Sequence, residues 1–163
     1  MPRIIGILLL LLMALLSDAS TLAAQPATIV VTTVENGSFD LQAQRGKWVI
    51  VNWWATWCSA CLEEMPNLSK FVATHKDVVA IGLTDEDISA EALRAFVIAH
   101  PVGYPVAQLS EKLTPREFKS SAYGMQMRPI TYLVDPAGKV VKRMLGGISL
   151  SKLDKIVTEQ IKP

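Results

Sequence analysis

The sequence predicts an α/β fold, and three observations carry that reading. Short apolar runs at residues 48–54, 78–84 and 130–134 have the length and composition of strands. The stretches between them repeat apolar residues at three- and four-residue spacing, as helices do. The joins hold turn formers: Asn36-Gly37, Gly46, His100-Pro101, Asp135-Pro136-Ala137-Gly138 and Gly146-Gly147. Strands alternating with helices over 163 residues make one domain with a sheet flanked by helices. No repeat, low-complexity tract or internal linker divides it.

The first 24 residues stand apart. Met1-Pro2-Arg3 precedes an apolar run from Ile4 to Leu16, and small and polar residues follow to Ala24. A basic start, an apolar middle and a small-residue exit are the anatomy of an export signal. The run is 13 residues long, against the roughly 20 a spanning helix needs. We therefore expect residues 1–24 to be a signal peptide or an uncleaved signal anchor, and residues 25–163 to be the folded domain. No cysteine lies near the cut, which excludes a lipoprotein.

The elements follow in order. Residues 28–34 alternate like a strand, Asn36-Gly37 is a hairpin turn, and residues 38–41 return. Residues 42–47 form a polar turn. Residues 48–54 are almost wholly apolar, as a central strand covered on both faces must be. Asn52 is the exception and reads as a hydrogen-bonded core amide. A helix is expected from Cys58 to His75, with Leu62, Met65, Leu68 and Val72 as its buried stripe and Pro66 inside it. Residues 78–84 give a second buried strand. The acids Asp85, Glu86 and Asp87 read as favouring the N-terminus of a helix over residues 89–99. His75 and His100 read as helix-end residues. Residues 104–109 form a short strand. Thr114-Pro115-Arg116-Glu117 has the pattern of a capping box opening a short helix. Strands at 130–134 and 139–144 are joined by a type I turn. Ser149 or Ser151 caps a last helix carrying Leu153, Ile156, Val157 and Ile161.

Sixteen basic and fifteen acidic side chains nearly cancel, so no bulk field favours nucleic acid or an anionic membrane. The chain's two cysteines, Cys58 and Cys61, stand two residues apart where a strand gives way to a helix. A bridge between them closes too short a loop to restrain the unfolded chain much. A zinc site needs further Cys or His ligands at short spacing, and the two histidines are far away. A thiol at a helix N-terminus faces unpaired N–H groups and the positive end of the dipole. Both favour thiolate, the attacking species. The second thiol, one turn later, is placed to resolve a mixed disulfide.

The run N-W-W-A-T-W-C-S-A-C-L-E-E-M-P at residues 52–66 resembles the thioredoxin superfamily, most closely its exported TlpA/ResA/CcmG-like thiol–disulfide oxidoreductases. The likeness extends through V-V-A-I-G-L at 78–83 and R-P-I-T-Y-L-V-D-P-A-G-K-V-V at 128–141, and covers about residues 36–161. The resemblance implies a thioredoxin fold: a central mixed sheet flanked by helices, with an N-terminal β-hairpin and the central insertion of this branch. It implies that Cys58 attacks and Cys61 resolves, that Pro129 is the cis proline beside the disulfide, and that Glu64 tunes thiol ionisation. Trp57, Ser59, Ala60 and Arg128 are then expected to meet the client. No cofactor is implied. The expected partners are exported proteins with disulfides, and a membrane thiol-transfer reductase of the DsbD/CcdA type as electron donor. The protein is expected to act as a monomer in the periplasm, in cytochrome c biogenesis or metal-site assembly.

Three departures from the family pattern bear on the chemistry. Asn52 stands where thioredoxin has a buried aspartate, which leaves Glu64 as the base for Cys61. Ser59-Ala60 matches neither reducing thioredoxin nor the strong oxidants, so the redox poise is open. Arg128 stands where an uncharged residue is usual: its guanidinium either favours the Cys58 thiolate or points to solvent and attracts acidic clients. Met125 and Met127 beside it read as packing inside. Two alternatives use the same cysteines, a disulfide oxidant or isomerase and a Cu(I)-binding chaperone. A peroxidase is disfavoured, because Val51 and Ala55 occupy the places of its proline and threonine.

Overall fold

The structure, a computed structural model, describes residues 27–119 and 127–161. Residues 1–24, where an export signal is expected, and Met125 lie outside these residues. Residues 48–53 contain three β-branched residues and two tryptophans, and form β3 (Trp48–Trp53), buried along its whole length. Around it a five-stranded sheet assembles in the order β5-β4-β3-β6-β7. Here β4 is Val78–Thr84, β5 Val106–Gln108, β6 Ile130–Val134 and β7 Val140–Leu145. β3, β4 and β5 run parallel, while β6 and β7 are antiparallel to their neighbours, so the sheet is mixed. The helices are α1 (Ser59–Thr74), α2 (Ala90–Ala99) and α3 (Leu150–Ile161).

The hairpin β1 (Val30–Thr32) and β2 (Ser38–Asp40) turns at Asn36, whose φ of 62° fits the Asn-Gly signal. It extends the sheet: Val34 N–H donates to the Val106 carbonyl at 2.8 Å, and Thr33 bridges Ala107. α2 and β5 fill the interval between β4 and β6, and β5 adds a parallel strand at the edge.

Alternation along β3 divides the core. Ile50 and Trp54 meet Met65, Leu68 and Phe71 of α1, Leu93 of α2 and Leu153 and Val157 of α3. Val49, Val51 and Trp53 face the other way, towards Ile29, Phe39 and Leu41 of the N-terminal region and Phe118.

Three local expectations are corrected. The buried stripe of α1 is Cys61, Glu64, Met65, Leu68 and Phe71, whereas Leu62 and Val72 are half-buried at its margin. The capping box at Thr114 does not form. Its hydroxyl donates back to the Ser110 carbonyl at 2.9 Å, and a single 3₁₀ turn at Arg116–Phe118 follows without a side-chain cap. The acids after β4 hold other loops, described below. Ser89 caps α2, and at the head of α3 the Ser149 hydroxyl accepts from Lys152 N–H, as expected. His75 and His100 end their helices, stacked on Phe71 and Phe96.

Phe71 is fully buried between sheet and helices. Phe71→Ala is expected to destabilise the oxidised protein by about 3–5 kcal/mol, from lost transfer energy plus the cavity. In urea unfolding followed by circular dichroism, the midpoint should fall while the m-value stays constant.

Candidate active site

β3 ends at Trp53, and the chain turns through Trp54 to Trp57 into the head of α1. Cys58 occupies the N-cap position, with extended backbone. An N-cap side chain faces the unpaired N–H groups of the first turn. Here it is a sulfur that accepts, from Cys61 N–H at 3.2 Å. The same contact favours thiolate once the pair is reduced.

The two sulfurs are bonded to each other, at 2.10 Å. Cys58 keeps 6 % of its surface exposed and Cys61 none. Access therefore distinguishes the two, and a visiting sulfur meets Cys58. Trp57 is 63 % exposed beside it, and Ser59 and Ala60 are exposed at the first turn.

Glu64 follows Cys61 by three residues, so the two share one side of α1. That side faces the sheet. Only 3 % of Glu64 is exposed. One carboxylate oxygen accepts from Asn52 Nδ2 at 2.7 Å, and the other from Ile148 N–H at 2.8 Å. Asn52 also donates to the Thr131 hydroxyl at 3.1 Å, directly across the β3–β6 pairing. Burial raises the Glu64 pKa above the ordinary carboxylate value, and the bonds from Ile148 and Asn52 oppose it only in part. Burial, followed by the charge of Glu64, pushes the Tyr104 phenol well above its usual range. A Cβ at Gly82 would stand 3.1 Å from the Tyr104 ring, so the missing side chain is what lets that ring lie over the sheet. A cleft of about 250 Å³ lined by Ala60, Glu63, Glu64, Asn67 and Ile148 opens this polar pocket towards solvent.

The third side is the loop before β6. The Arg128–Pro129 peptide is cis, and the Pro129 carbonyl accepts from Gly146 N–H at 2.9 Å. Gly146 has φ of 77°, a left-handed conformation suited to glycine. Of the two expectations for Arg128, the one that it points to solvent is excluded. Its side chain is 1 % exposed, paired with Asp85, with the guanidinium carbon 5.9 Å from the centre of the Trp53 ring. Residue exposure there comes from the backbone. Met127 is exposed instead of packed inside, which an apolar residue beside a surface loop does not reveal in sequence.

Sequence reasoning missed two residues here. Glu86 accepts from both the N–H and the hydroxyl of Thr56, at 2.7 and 2.8 Å, and Asp85 receives the Arg128 guanidinium. Only the departure at Arg128 offered a signal, since a cation in an apolar loop calls for an acid. Among the described residues, no group of three or more His, Cys, Asp or Glu side chains could hold a metal. No described helix is long and apolar enough to cross a membrane.

Residues 21–143 match the AhpC/TSA family. The chain is 30 % identical over 130 residues to "Thiol-disulfide oxidoreductase ResA" of Bacillus thuringiensis (strain Al Hakam), spanning 77 % of this chain and 70 % of that one. Among solved structures it resembles a thiol:disulfide interchange protein of the thioredoxin family from Chlorobium tepidum. The TM-score is 0.68 at 25 % identity, over 83 % of this chain and 97 % of that one. It also resembles MTB dsbF, with a TM-score of 0.65 at 25 % identity, over 80 % and 93 %.

A carboxyl whose pKa lies higher in the fold than in the unfolded chain stabilises the fold while protonated. That contribution is complete below the ordinary glutamate pKa and is lost as pH rises through the raised value. Wild-type oxidised protein should therefore lose stability across this window, and Glu64→Gln, which does not titrate, should not. Tm measured between about pH 4 and pH 8 is expected to show the variant gaining on wild type as pH rises. Parallel curves would exclude a buried, titrating Glu64.

Proposed function

The chain belongs to the AhpC/TSA family and is a ResA-like thiol–disulfide oxidoreductase, and on that premise we propose that it reduces disulfides of exported proteins in the periplasm. The observation that carries this reading is the Cys58–Cys61 pair at the head of α1, with a buried Glu64 of raised pKa one turn further on.

In the reducing direction Cys58 enters as thiolate, favoured by the N–H of Cys61 and the helix N-terminus. It attacks one sulfur of the client disulfide. The other client sulfur leaves as thiolate and takes a proton. Cys61 then attacks Cys58. Its proton passes to the ionised Glu64 carboxylate, which its raised pKa makes a better proton acceptor than an exposed glutamate, and the second client sulfur departs as thiolate and takes a proton from solvent. The client gains two electrons and two protons, and the protein is left as the Cys58–Cys61 disulfide. The cleft beside Ala60 and Asn67 gives Glu64 a route for returning its proton to solvent. Trp57, Ser59, Ala60 and the exposed backbone at Arg128-Pro129 form the surface a client crosses.

Residues 1–24 act in this reading as the export signal, or as an anchor if uncut, and residues 25–163 work as a monomer. An oxidising compartment demands an outside source of electrons, for which a membrane thiol-transfer reductase of the DsbD/CcdA type is suited. Apocytochrome c awaiting haem, or a copper-site assembly factor, carries the kind of C-x-x-C disulfide that needs such a reductant. The oxidant reading uses the same cysteines in reverse and differs in potential. The peroxidase reading finds no support at Val51 and Ala55, which are buried and without a hydroxyl to offer a peroxide.

Cys61→Ser in the full chain is expected to accumulate a mixed disulfide between Cys58 and its client, visible on non-reducing gels and identifiable by mass spectrometry. The Cys58→Ser control should accumulate none. The potential of the wild-type pair, from glutathione titration, should lie nearer the thioredoxin value of about −270 mV than the oxidant value of about −120 mV. A value at the oxidant end would reverse the direction of the proposal.

A further inference from the structure

Two neighbouring carboxylates at the end of β4 bind the two loops that flank the disulfide. Glu86 takes the backbone N–H of Thr56 at 2.7 Å and its hydroxyl at 2.8 Å, and also the hydroxyl of Thr84 at 3.1 Å. Thr56 stands two residues before Cys58. Asp85 takes the guanidinium of Arg128, the residue before Pro129. Between the two loops lies Trp53, the last residue of β3, under the Arg128 guanidinium. The acidic loop is itself fastened to the sheet edge. Gln108 of β5 donates to the carbonyls of Glu86 and Ile88 at 2.5 and 3.1 Å.

We infer that Asp85 and Glu86 are positioning residues that hold the Thr56–Cys58 loop and the Arg128–Pro129 loop at one spacing, and so set how well a polypeptide client presents its sulfur to Cys58. The inference rests on exchange at Cys58 and not on its direction. A polypeptide disulfide must lie across both loops at once, and each loop left free would have to be ordered on binding. A small disulfide touches only the sulfur. Two features mark the arrangement as positional. The Thr56 N–H would otherwise lack a partner where the chain leaves the sheet, and Glu86 supplies it together with a second bond in a fixed direction. The Arg128 side chain, folded inward, leaves the backbone beside Pro129 open to a client while removing its own bulk from the groove.

The test compares two disulfides attacked by the same thiolate: insulin as the polypeptide, and dithiobis(nitrobenzoate) as the small one. Glu86→Ala is expected to lower kcat/KM for insulin on the order of tenfold, mainly through KM, while the rate with the small disulfide stays within about twofold. Glu86→Gln should restore the insulin rate. Its amide oxygen can accept the Thr56 N–H and its amide nitrogen can donate to the Thr56 hydroxyl. Asp85→Asn, whose amide oxygen can still accept from the Arg128 guanidinium but carries no charge, should show the same split as Glu86→Ala in smaller measure. Equal losses on both substrates, no loss on insulin, or failure of Glu86→Gln to restore the rate would each overturn the inference. A wild-type protein inert to both disulfides would overturn the exchange reading and this inference with it; loss of the split alone overturns only the inference.

Discussion

The register of β3 is the constraint on which the site depends. Side chains of a strand alternate between faces, so consecutive residues at its end point in opposite directions. Asn52 turns towards α1, where it meets Glu64 and Thr131. Trp53 turns to the other face, where it lies under Arg128. The same strand end then delivers the chain to Cys58. A slip of one residue would send Asn52 into the apolar layer of Phe39, Phe118 and Ile130 and would bring Trp53 against Glu64. That slip is opposed by the whole pattern of Val49, Ile50 and Val51, each fully enclosed on its own face.

The two polar systems are built in different ways. Removing a carboxylate from water is expensive, and an isolated ionised one in an apolar interior would not persist. Glu64 is met only by neutral donors, one amide from a side chain and one from the backbone, and burial outweighs them. The outcome is a carboxyl whose pKa is raised by burial, against the pull of its two hydrogen-bond donors. A buried ion pair, by contrast, gains stability only when its geometry is good and its other atoms are satisfied. Arg128 is held by Asp85, by the Met127 carbonyl at 2.9 Å and by the Trp53 ring.

The main elements of the fold were legible because they obey local periodicities. Residues 78–84 are apolar throughout and form β4 with the same bounds. Cys58 and Ser89 sit at helix heads, as a residue before an amphipathic run should. The cysteine pair needed no tertiary knowledge, since both sulfurs lie within one turn. What escaped was decided at long range. Asp85 and Arg128 are 43 residues apart and Thr56 and Glu86 are 30 apart, so an acidic triplet ahead of a helix read as a helix-end feature. Thr114 failed as a cap because its hydroxyl found the Ser110 carbonyl in the preceding turn, a local competitor that pattern matching does not weigh. Phe71 replaced Val72 in the α1 stripe because Glu64, a polar residue, occupies part of the buried face and rotates the apolar arc.

That substitution of an acid for an apolar residue in a helix stripe links fold to chemistry. A leucine at position 64 would pack the α1–sheet interface better and would leave Asn52 Nδ2 and Ile148 N–H short of the acceptor they now share. Each orphaned donor costs about 1–3 kcal/mol, so the two together match or exceed the roughly 1.5–3 kcal/mol that the apolar side chain would gain. Stability therefore gives no reason to prefer the leucine, and the exchange would also remove the titrating group. In the mechanism proposed above, the carboxyl is what accepts the proton as Cys61 becomes a nucleophile, which a leucine could not do. Asn52 fixes that carboxyl against the sheet and is itself held by Thr131, and the loops tied by Asp85 and Glu86 address, in the inference above, the other requirement, where the client's sulfur must stand.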